Sequence, residues 1–194
     1  MSLEYKIIGI AGNARSGKDT VGKNFVKILK DQGIKAKTFS FAYELKKSVD
    51  SFLKEQIGIS AFTENDEEKA LIRPFLVFWG TDIMRKINNN IWVDKLEDSL
   101  YNDHVNIITD LRFVNELEWI KKNKGLSVLV KRDGVEPAND YEEENNNQIS
   151  QLADSNFHMG NFKDQKLIEL MANEILNSIV NKKIYESWKA TCPL

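Results

Sequence analysis

The stretch Gly12-Asn13-Ala14-Arg15-Ser16-Gly17-Lys18-Asp19-Thr20 decides the fold of this chain. The apolar run Ile7-Ile8-Gly9-Ile10-Ala11 precedes it and apolar residues at helical spacing follow it, so the segment predicts a strand, a glycine loop and a helix. The glycines let backbone N–H groups converge on an anion, the helix N-terminus adds its positive dipole end, and Lys18 supplies a mobile cation. The flanking strand and helix favour a phosphate-binding loop, here called the phosphate loop (residues 12–20), over a glycine turn that opens an ordinary helix. One position departs from the usual pattern, since Asp19 stands where Ser or Thr is expected and Thr20 follows it.

Length and composition limit the classes of protein to which the chain can belong. The 194 residues, 42% of them hydrophobic, suffice for one sizeable core and predict one domain with an insertion. A formal net charge of -2 and a pI near 5.8 argue against a nucleic-acid partner and favour a small anionic ligand. The single cysteine, Cys192, cannot form an internal disulfide, which suits a reducing compartment. No apolar run reaches membrane-spanning length, so we expect a cytoplasmic protein with no membrane partner.

Strand and helix signals alternate along the chain. Continuous apolar runs predict strands at residues 6–11, 105–110 and 126–130. Thr38 and Phe39 favour a strand at residues 35–41, and residues 156–159 are expected to form a short final strand. Apolar residues at helical spacing predict helices at residues 18–31, 42–57, 91–101, 114–122 and 163–182. This alternation predicts an α/β fold with a mostly parallel sheet of five strands, joined by right-handed crossovers and flanked by helices.

Two segments interrupt the alternation. Pro74 follows an acidic region, so we expect either a boundary there or a short helix followed by a longer one from Pro74 to about Ile87. Asp133 to about Asp154 has no apolar periodicity and predicts a mobile surface loop with room for a short helix.

A second polar cluster follows the predicted strand at residues 105–110. Because ligands of open α/β sheets bind at the carboxyl ends of the strands, Asp110 is expected at the same edge as the phosphate loop. Its carboxylate suits Mg²⁺, Arg112 offers a planar fork to a phosphate, and Glu116, one helical turn on, is placed to orient Arg112. The alternative is an acid at a helix N-terminus beside a surface ion pair.

Several blocks, in the same order from about residue 5 to 180, resemble the bacteriophage-type deoxynucleoside monophosphate kinases of the P-loop nucleoside monophosphate kinase-like group. The phosphate loop resembles that family's loop, including Asp19 in place of the hydroxyl residue. The other blocks are Ala42-Tyr43-Glu44-Leu45-Lys46, Arg73 before Gly80-Thr81-Asp82, Ile91-Trp92-Val93, Asp110-Leu111-Arg112 with Glu116, and Arg132 at a strand end. The chain departs from the family at Gln148-Ile149-Ser150-Gln151, where His-x-Ser/Thr-Glu is usual, and at Val77, where a glutamine is common.

The resemblance implies a three-layer P-loop NTPase fold in a single kinase domain over residues 1–194, with a helical acceptor-binding insertion at about 42–103 and a lid at about 132–155. It implies transfer of a phosphoryl group from ATP to a deoxynucleoside monophosphate, with ATP and Mg²⁺ as cofactors and small-molecule nucleotides as partners. The residues expected to bind ATP are Gly12, Asn13, Ala14, Arg15, Ser16, Gly17, Lys18, Asp19 and Thr20. Those expected to act in catalysis are Lys18, Arg15, Asp110 and Arg132. Asp19 and Asp110 are assigned to the metal.

Acceptor binding is assigned, through the same resemblance, to residues outside the phosphate loop. These are Lys46, Arg73, Arg85, Trp92, Arg112, Glu116 and Ser150. Arg85 sits on a helix where a solvated face is the simpler alternative, and Trp92, at helical spacing with Leu96 and Leu100, is as well explained by packing.

Other interpretations stay open. The same fold can phosphorylate another phosphorylated metabolite, such as dephospho-coenzyme A, or bind nucleotide without turnover, a reading that Gln148 and Gln151 favour. Base preference and deoxy/ribo selectivity are not determined by these residues. His104 and His158 have no partner at ligand spacing and are read as structural or exposed. Tyr185 and Trp188 are apolar enough to pack on the chain itself or on another subunit, which leaves a homodimer open.

Overall fold

The computed structural model describes residues 6–137, 140–160, 166 and 168–178. Its strands are β1 (Ile7–Ala11), β2 (Ala36–Phe39), β3 (Val105–Leu111), β4 (Leu126–Arg132) and β5 (Ser155–Met159). Its helices are α1 (Lys18–Asp31), α2 (Phe41–Ile57), α3 (Asp66–Val77), a π-helix (Phe78–Met84), α4 (Arg85–Ile87), α5 (Ile91–Glu97), α6 (Val114–Lys122), α7 (Asp140–Leu152) and α8 (residues 168–178).

The five described strands form one sheet in the order β2-β3-β1-β4-β5. Every pairing is parallel, and Ile8 at the centre lies opposite Ile107 of β3 and Leu126 of β4. The prediction of an α/β P-loop NTPase fold is confirmed, and the mostly parallel sheet is wholly parallel over the described strands. Since β1 lies between β3 and β4, the loop that follows it opens where the chain connections change direction, the ligand-binding position of such sheets.

The chain divides into two compact units, one formed by Met1–Phe39 with Tyr101–Leu194 and the other by Ser40–Leu100. In the first unit, α1 covers one face of the sheet and shares its core with α8, through Phe25 and Ile175. On the other face, α6 contacts β1 and β4. Gly22 lets α1 approach β3 closely, because a Cβ at that position would lie 2.5 Å from Thr109 Cγ2.

The second unit is helical and has a core of its own, built from Val49, Leu53, Ala61 and Ile72. Trp92 is 2% exposed, and its indole Nε1 donates to Gly80 O at 3.0 Å. A Cβ at Gly80 would collide with Leu45 Cδ1, so glycine is needed where the π-helix packs on α2. Trp92 therefore holds the π-helix against its neighbours.

The prediction of a helix boundary at Pro74 is wrong. Pro74 lies inside α3, which continues through the π-helix and α4 to Ile87. Proline has no N–H for the carbonyl of Ala70, four residues earlier, but both residues are exposed and water can serve that carbonyl.

The prediction of a mobile loop at residues 133–154 is wrong for its larger part. Residues Asp140–Leu152 form α7, which contacts α6 and β4. Among the α7 side chains that the structure describes, Ile149 is the one that is buried, so the helix carries no apolar stripe. A search for periodicity cannot find a helix that is anchored by a single apolar residue.

Smaller differences concern the ends of elements. Phe41 begins α2 rather than ending β2, because Ser40 Oγ accepts from Tyr43 N and caps the helix. Helix α5 ends at Glu97 instead of continuing to Tyr101. Parts of the predicted final helix lie outside the described residues, as do the predictions for Tyr185, Trp188 and Cys192. Among the described helices, none has the length and apolar character needed to cross a membrane.

Replacement of Trp92 by Phe should destabilise the second unit. The change removes the indole donor to the carbonyl of the buried Gly80 and leaves the space of the second indole ring unfilled, so the free energy of unfolding should fall by about 1–3 kcal/mol. Trp79→Phe is the matched control, because Trp79 is only partly buried and its Nε1 donates to Ser48 Oγ in an exposed setting. Urea unfolding should show a clear decrease in the free energy of unfolding for Trp92→Phe and a change of less than about 0.5 kcal/mol for Trp79→Phe. Equal losses would contradict the role given to Trp92.

Candidate functional site

The phosphate loop takes its shape from two glycines. Gly12 has φ 149°, and a Cβ there would collide with Val130 O and lie 2.6 Å from Ser16 Oγ. Gly17 has φ 92°, in the left-handed region, and forms the N-cap of α1 without a side-chain hydrogen bond. Arg15 also has a positive φ, 68°, and Ser16 N donates to Asn13 O at 3.1 Å to close the turn. The backbone therefore curls so that the uncapped N-terminus of α1 faces the loop.

Lys18 and Ser16 place polar groups inside this curl. Lys18 is 6% exposed, and its Nζ lies 3.6 Å from Asp19 Oδ2, whose side chain is 67% exposed. Ser16 is fully buried, and its Oγ has no hydrogen-bond partner among the described residues. A buried hydroxyl without a partner is costly, and a ligand or water that supplies a hydrogen bond relieves that cost.

Strand pairing brings the other predicted residues of the first unit next to the loop. Ala11, the last residue of β1, pairs with Leu111 of β3 and with Leu129 of β4. Asp110, which precedes Leu111, is 7% exposed, and Arg112, which follows Leu111, is exposed. Arg132 ends β4 and is half-buried.

Glu116 holds the backbone that carries Arg112, which agrees with the prediction that it orients Arg112. Glu116 is 1% exposed, and its Oε2 accepts from the backbone nitrogens of Arg112 at 2.8 Å and Phe113 at 3.1 Å. Its carboxylate thus caps α6 and fixes the turn after β3, where it satisfies backbone donors rather than offering a surface to a substrate.

The carboxylates available to a metal are few. Within residues 6–137, 140–160, 166 and 168–178, no cluster of three His, Cys, Asp or Glu side chains could hold an ion. Mg²⁺ commonly takes one or two carboxylates and completes its shell with phosphate oxygens and waters. Asp110, at the strand end beside the phosphate loop, and Asp19, within that loop, fit this sparse protein contribution.

Four of the predicted acceptor residues lie in the second unit. Lys46 Nζ lies 5.8 Å from the centre of the Phe62 ring, and Arg73 is exposed on α3. Arg85 Nη1 donates to Asn89 O at 3.1 Å and joins the start of α4 to the turn that follows the helix. The prediction that Trp92 lines an acceptor pocket is corrected to packing, since only 2% of it is exposed.

Sequence reasoning missed an aromatic pair in the second unit. The rings of Tyr43 and Phe62 have centres 5.2 Å apart, and Tyr43 is 53% exposed. Phe62 is positioned by its backbone nitrogen, which donates to Ser60 Oγ at 3.1 Å, and Ser60 Oγ donates to Asp50 Oδ1 at 2.7 Å. The hydrogen bond from Lys54, followed by that from Ser60, lowers the pKa of Asp50 and keeps it an acceptor. A tertiary contact between positions 43 and 62 has no signal in the sequence.

A second missed feature joins the phosphate loop to α7. Asn13 Nδ2 donates to Val135 O at 3.2 Å, and Asn13 Oδ1 accepts from Asn146 Nδ2. Beside this link lies a cavity of about 220 Å³, which Gly12, Arg132 and Glu143 help to line. His158 is exposed, in agreement with the prediction, and its Nε2 lies 2.6 Å from Asp133 Oδ1. Ser150 is half-buried near the end of α7, and Gln148 and Gln151 are exposed.

Comparison with known proteins identifies the family. A family model described as phosphomevalonate kinase matches residues 10–126, which is more than half of the chain. Comparison with curated proteins finds no match.

Three solved structures of kinases resemble the fold at low identity. The shikimate kinase of Acinetobacter baumannii is 14% identical, with a TM-score of 0.46, and the alignment covers 93% of this chain and 96% of that one. The gluconokinase of Sinorhizobium meliloti is 13% identical, with a TM-score of 0.46 and coverage of 96% and 99%. The APS kinase of Mycobacterium tuberculosis is 14% identical, with a TM-score of 0.42 and coverage of 90% and 96%. Likenesses of this degree carry no argument about the substrate.

The resemblance to phage-type deoxynucleoside monophosphate kinases is thus confirmed at the level of a P-loop kinase, and its finer assignment stays a prediction. The match covers the phosphate loop, α1, the whole second unit, β3 and α6. The chain therefore belongs to the phosphomevalonate kinase family, as a P-loop kinase that uses ATP and Mg²⁺ to phosphorylate a small metabolite.

Proposed function

We propose that this kinase transfers the γ-phosphoryl group of ATP to the phosphate of a deoxynucleoside monophosphate and so produces the diphosphate. The observation that carries the transfer is the phosphate loop itself, with Gly17 in the left-handed region, the N-terminus of α1 uncapped and Lys18 buried beside it. This arrangement matches the demands of phosphoryl transfer, in which the protein supplies positioning and positive charge rather than covalent chemistry.

The residues of the loop fit the phosphates of ATP. Gly12 leaves no side chain to obstruct the loop, the first N–H groups of α1 have no side-chain cap, and Ser16 Oγ lacks a partner until a ligand or water provides one. Residues 12–17 would hold the phosphates by backbone N–H groups, and Lys18 would neutralise their charge.

In the proposed reaction an oxygen of the acceptor phosphate forms a bond to the γ-phosphorus. The bond between that phosphorus and the β–γ bridging oxygen breaks, and ADP leaves with the electron pair. Lys18 offsets charge on the transferring group, and the exposed Arg15 and Arg112, with Arg132 at the end of β4, are further cations in the loop or at the ends of strands beside it. Asp110 and Asp19 would help to hold Mg²⁺, which would neutralise charge on the phosphates of ATP.

The aromatic pair of the second unit supports a nucleotide as the acceptor. Tyr43 presents half of its surface to solvent next to Phe62, and Lys46 lies near the Phe62 ring. An exposed ring suits stacking of a planar base, and a nearby ammonium suits a phosphate. An aliphatic acceptor gains nothing comparable from a flat aromatic surface.

Phosphomevalonate is the second candidate acceptor, because the family model that matches residues 10–126 carries that description. Both candidates present a phosphate as the acceptor, so the donor side of the reaction is the same for the two. They differ in whether a flat base or an aliphatic chain must be held.

The acceptor can be identified by coupled ADP release in the presence of ATP and Mg²⁺. The panel contains the common deoxynucleoside and nucleoside monophosphates, phosphomevalonate and dephospho-coenzyme A. We expect the highest kcat/KM with a deoxynucleoside monophosphate. Turnover with phosphomevalonate alone would replace the proposal by its second candidate. ATP binding without ADP release from any acceptor would leave a nucleotide-binding protein that has lost turnover.

Lys18→Met should abolish most of the turnover. Removal of one preorganised positive group from a phosphoryl-transfer site costs about 10²–10³-fold in rate. Lys23→Met is the control, since Lys23 is exposed one turn further along the same helix. Steady-state kinetics with the best acceptor should show the loss for Lys18→Met alone, and full activity of that variant would refute the placement of ATP in the loop.

Tyr43→Leu should weaken binding of the acceptor and leave binding of ATP unchanged. Stacking of a base on an aromatic ring contributes about 1–3 kcal/mol, so the KM of a nucleotide acceptor should rise about fivefold or more. Phe52→Leu is a matched control, because Phe52 lies on the same helix and is also 53% exposed, but packs on Phe75. If both variants change the acceptor KM equally, or neither does, Tyr43 does not contact the base.

A further inference from the structure

The side chain of Asn13 joins the phosphate loop to two other segments of the first unit. Its Nδ2 donates to the carbonyl of Val135 at 3.2 Å, in the turn after β4, and its Oδ1 accepts from Asn146 Nδ2 of α7. Its backbone carbonyl accepts from Ser16 N at 3.1 Å and so belongs to the turn of the loop itself. One residue therefore takes part both in the shape of the loop and in two contacts beyond it.

The chemistry of the amide suits this double role. An asparagine side chain carries a donor and an acceptor in one rigid planar group, so it can hold a carbonyl and an amide at the same time. The cavity of about 220 Å³ lies alongside, and Gly12, Asn13, Arg132, Val135 and Asn146 are among its lining residues. The two side-chain hydrogen bonds of Asn13, here called the tether, thus shape a cavity that opens directly beside the phosphate loop.

Helix α7 buries little apolar surface that could hold it in place. Ile149 is its one buried side chain among those that the structure describes, and its sequence from Glu142 to Asn147 is acidic or amide throughout. A helix with so small a buried surface depends on individual polar contacts for its position. A contact from the phosphate loop therefore acts on an element that is easily moved.

We propose that Asn13 is a positioning residue that couples occupancy of the phosphate loop to the position of α7 through Asn146. The proposal rests on the proposed function in one respect, that a nucleotide binds in the loop. Phosphate oxygens that bind backbone N–H groups restrain the backbone of the phosphate loop, from which the Asn13 amide projects. Because this amide accepts a hydrogen bond from Asn146, α7 is restrained as well. By linkage, a held α7 favours the bound loop to the same extent.

The test is hydrogen–deuterium exchange of the full chain, with and without Mg²⁺ and a non-hydrolysable ATP analogue. Asn146→Ala removes the tether at its α7 end and leaves Asn13 in place. Asn147→Ala is the matched control, since the next residue of the same helix is exposed and the substitution raises helix propensity equally. Without nucleotide, Asn146→Ala should speed exchange in α7 about two- to tenfold, as the loss of one hydrogen bond predicts, and Asn147→Ala should not.

With the analogue, exchange in α7 should slow in the wild type, and this response should largely disappear in Asn146→Ala while residues 12–20 are still protected. By the same linkage, the dissociation constant of the analogue should rise about two- to tenfold in Asn146→Ala and should stay within about twofold of the wild-type value in Asn147→Ala. A merely structural role would instead lower the melting temperature, while the affinity for the analogue and the response of α7 to it would stay as in the wild type.

Two results would overturn the proposal, and they are distinguishable. If the wild type binds the analogue and α7 of Asn146→Ala responds as the wild type does, or if Asn147→Ala has the same effect, the coupling is absent although the proposed function stands. If the analogue protects nothing in the wild-type loop, the proposed function fails and the coupling fails with it.

Discussion

The structure depends on the path of the backbone at Gly12, where there is no room for a side chain. The backbone leaves β1 with φ 149° and passes so close to Val130 O and Ser16 Oγ that no Cβ can be accommodated. Five residues later Gly17, at φ 92°, turns the chain into α1. Any other residue at these positions must strain the backbone or displace β4. The burial of Lys18, the exposure of the α1 N-terminus to the loop and the direction of the Asn13 amide all follow from this path.

Around the loop, buried polar side chains serve the backbone as much as they serve a ligand. Glu116 accepts two backbone N–H groups and keeps the turn after β3 rigid, so that Arg112 is presented to solvent from a fixed position. Asn13 holds the carbonyl of Val135 and the amide of Asn146. Such hydrogen bonds hold the backbone that carries the cations and amides, so that these groups are positioned at little entropic cost. Phosphoryl transfer requires this because its catalysis depends on positioning.

The sequence predicted the elements whose own residues carry a strong pattern. The buried strands and α1, from Lys18 to Asp31, were found because continuous apolar runs and helical spacing are local properties. It failed where one residue outweighs the pattern: Pro74 is tolerated inside α3, and α7 buries Ile149 alone among the side chains that the structure describes. Local propensity in these two segments is overridden by solvent access in the first case and by one buried contact in the second.

By itself, then, the sequence determined the phosphate loop and the parallel sheet from residues that are neighbours in the chain. The class of reaction was indicated by the ordered blocks that resemble a kinase family. Tertiary structure alone decided that Trp92 packs on Gly80, that Tyr43 meets Phe62, and that Asn146 reaches Asn13, 133 residues away. A hydrogen bond or ring contact across such separations depends on where the intervening chain folds. No local pattern records that position, so the Tyr43–Phe62 ring contact and the hydrogen bond from Asn146 to Asn13 became visible only in three dimensions.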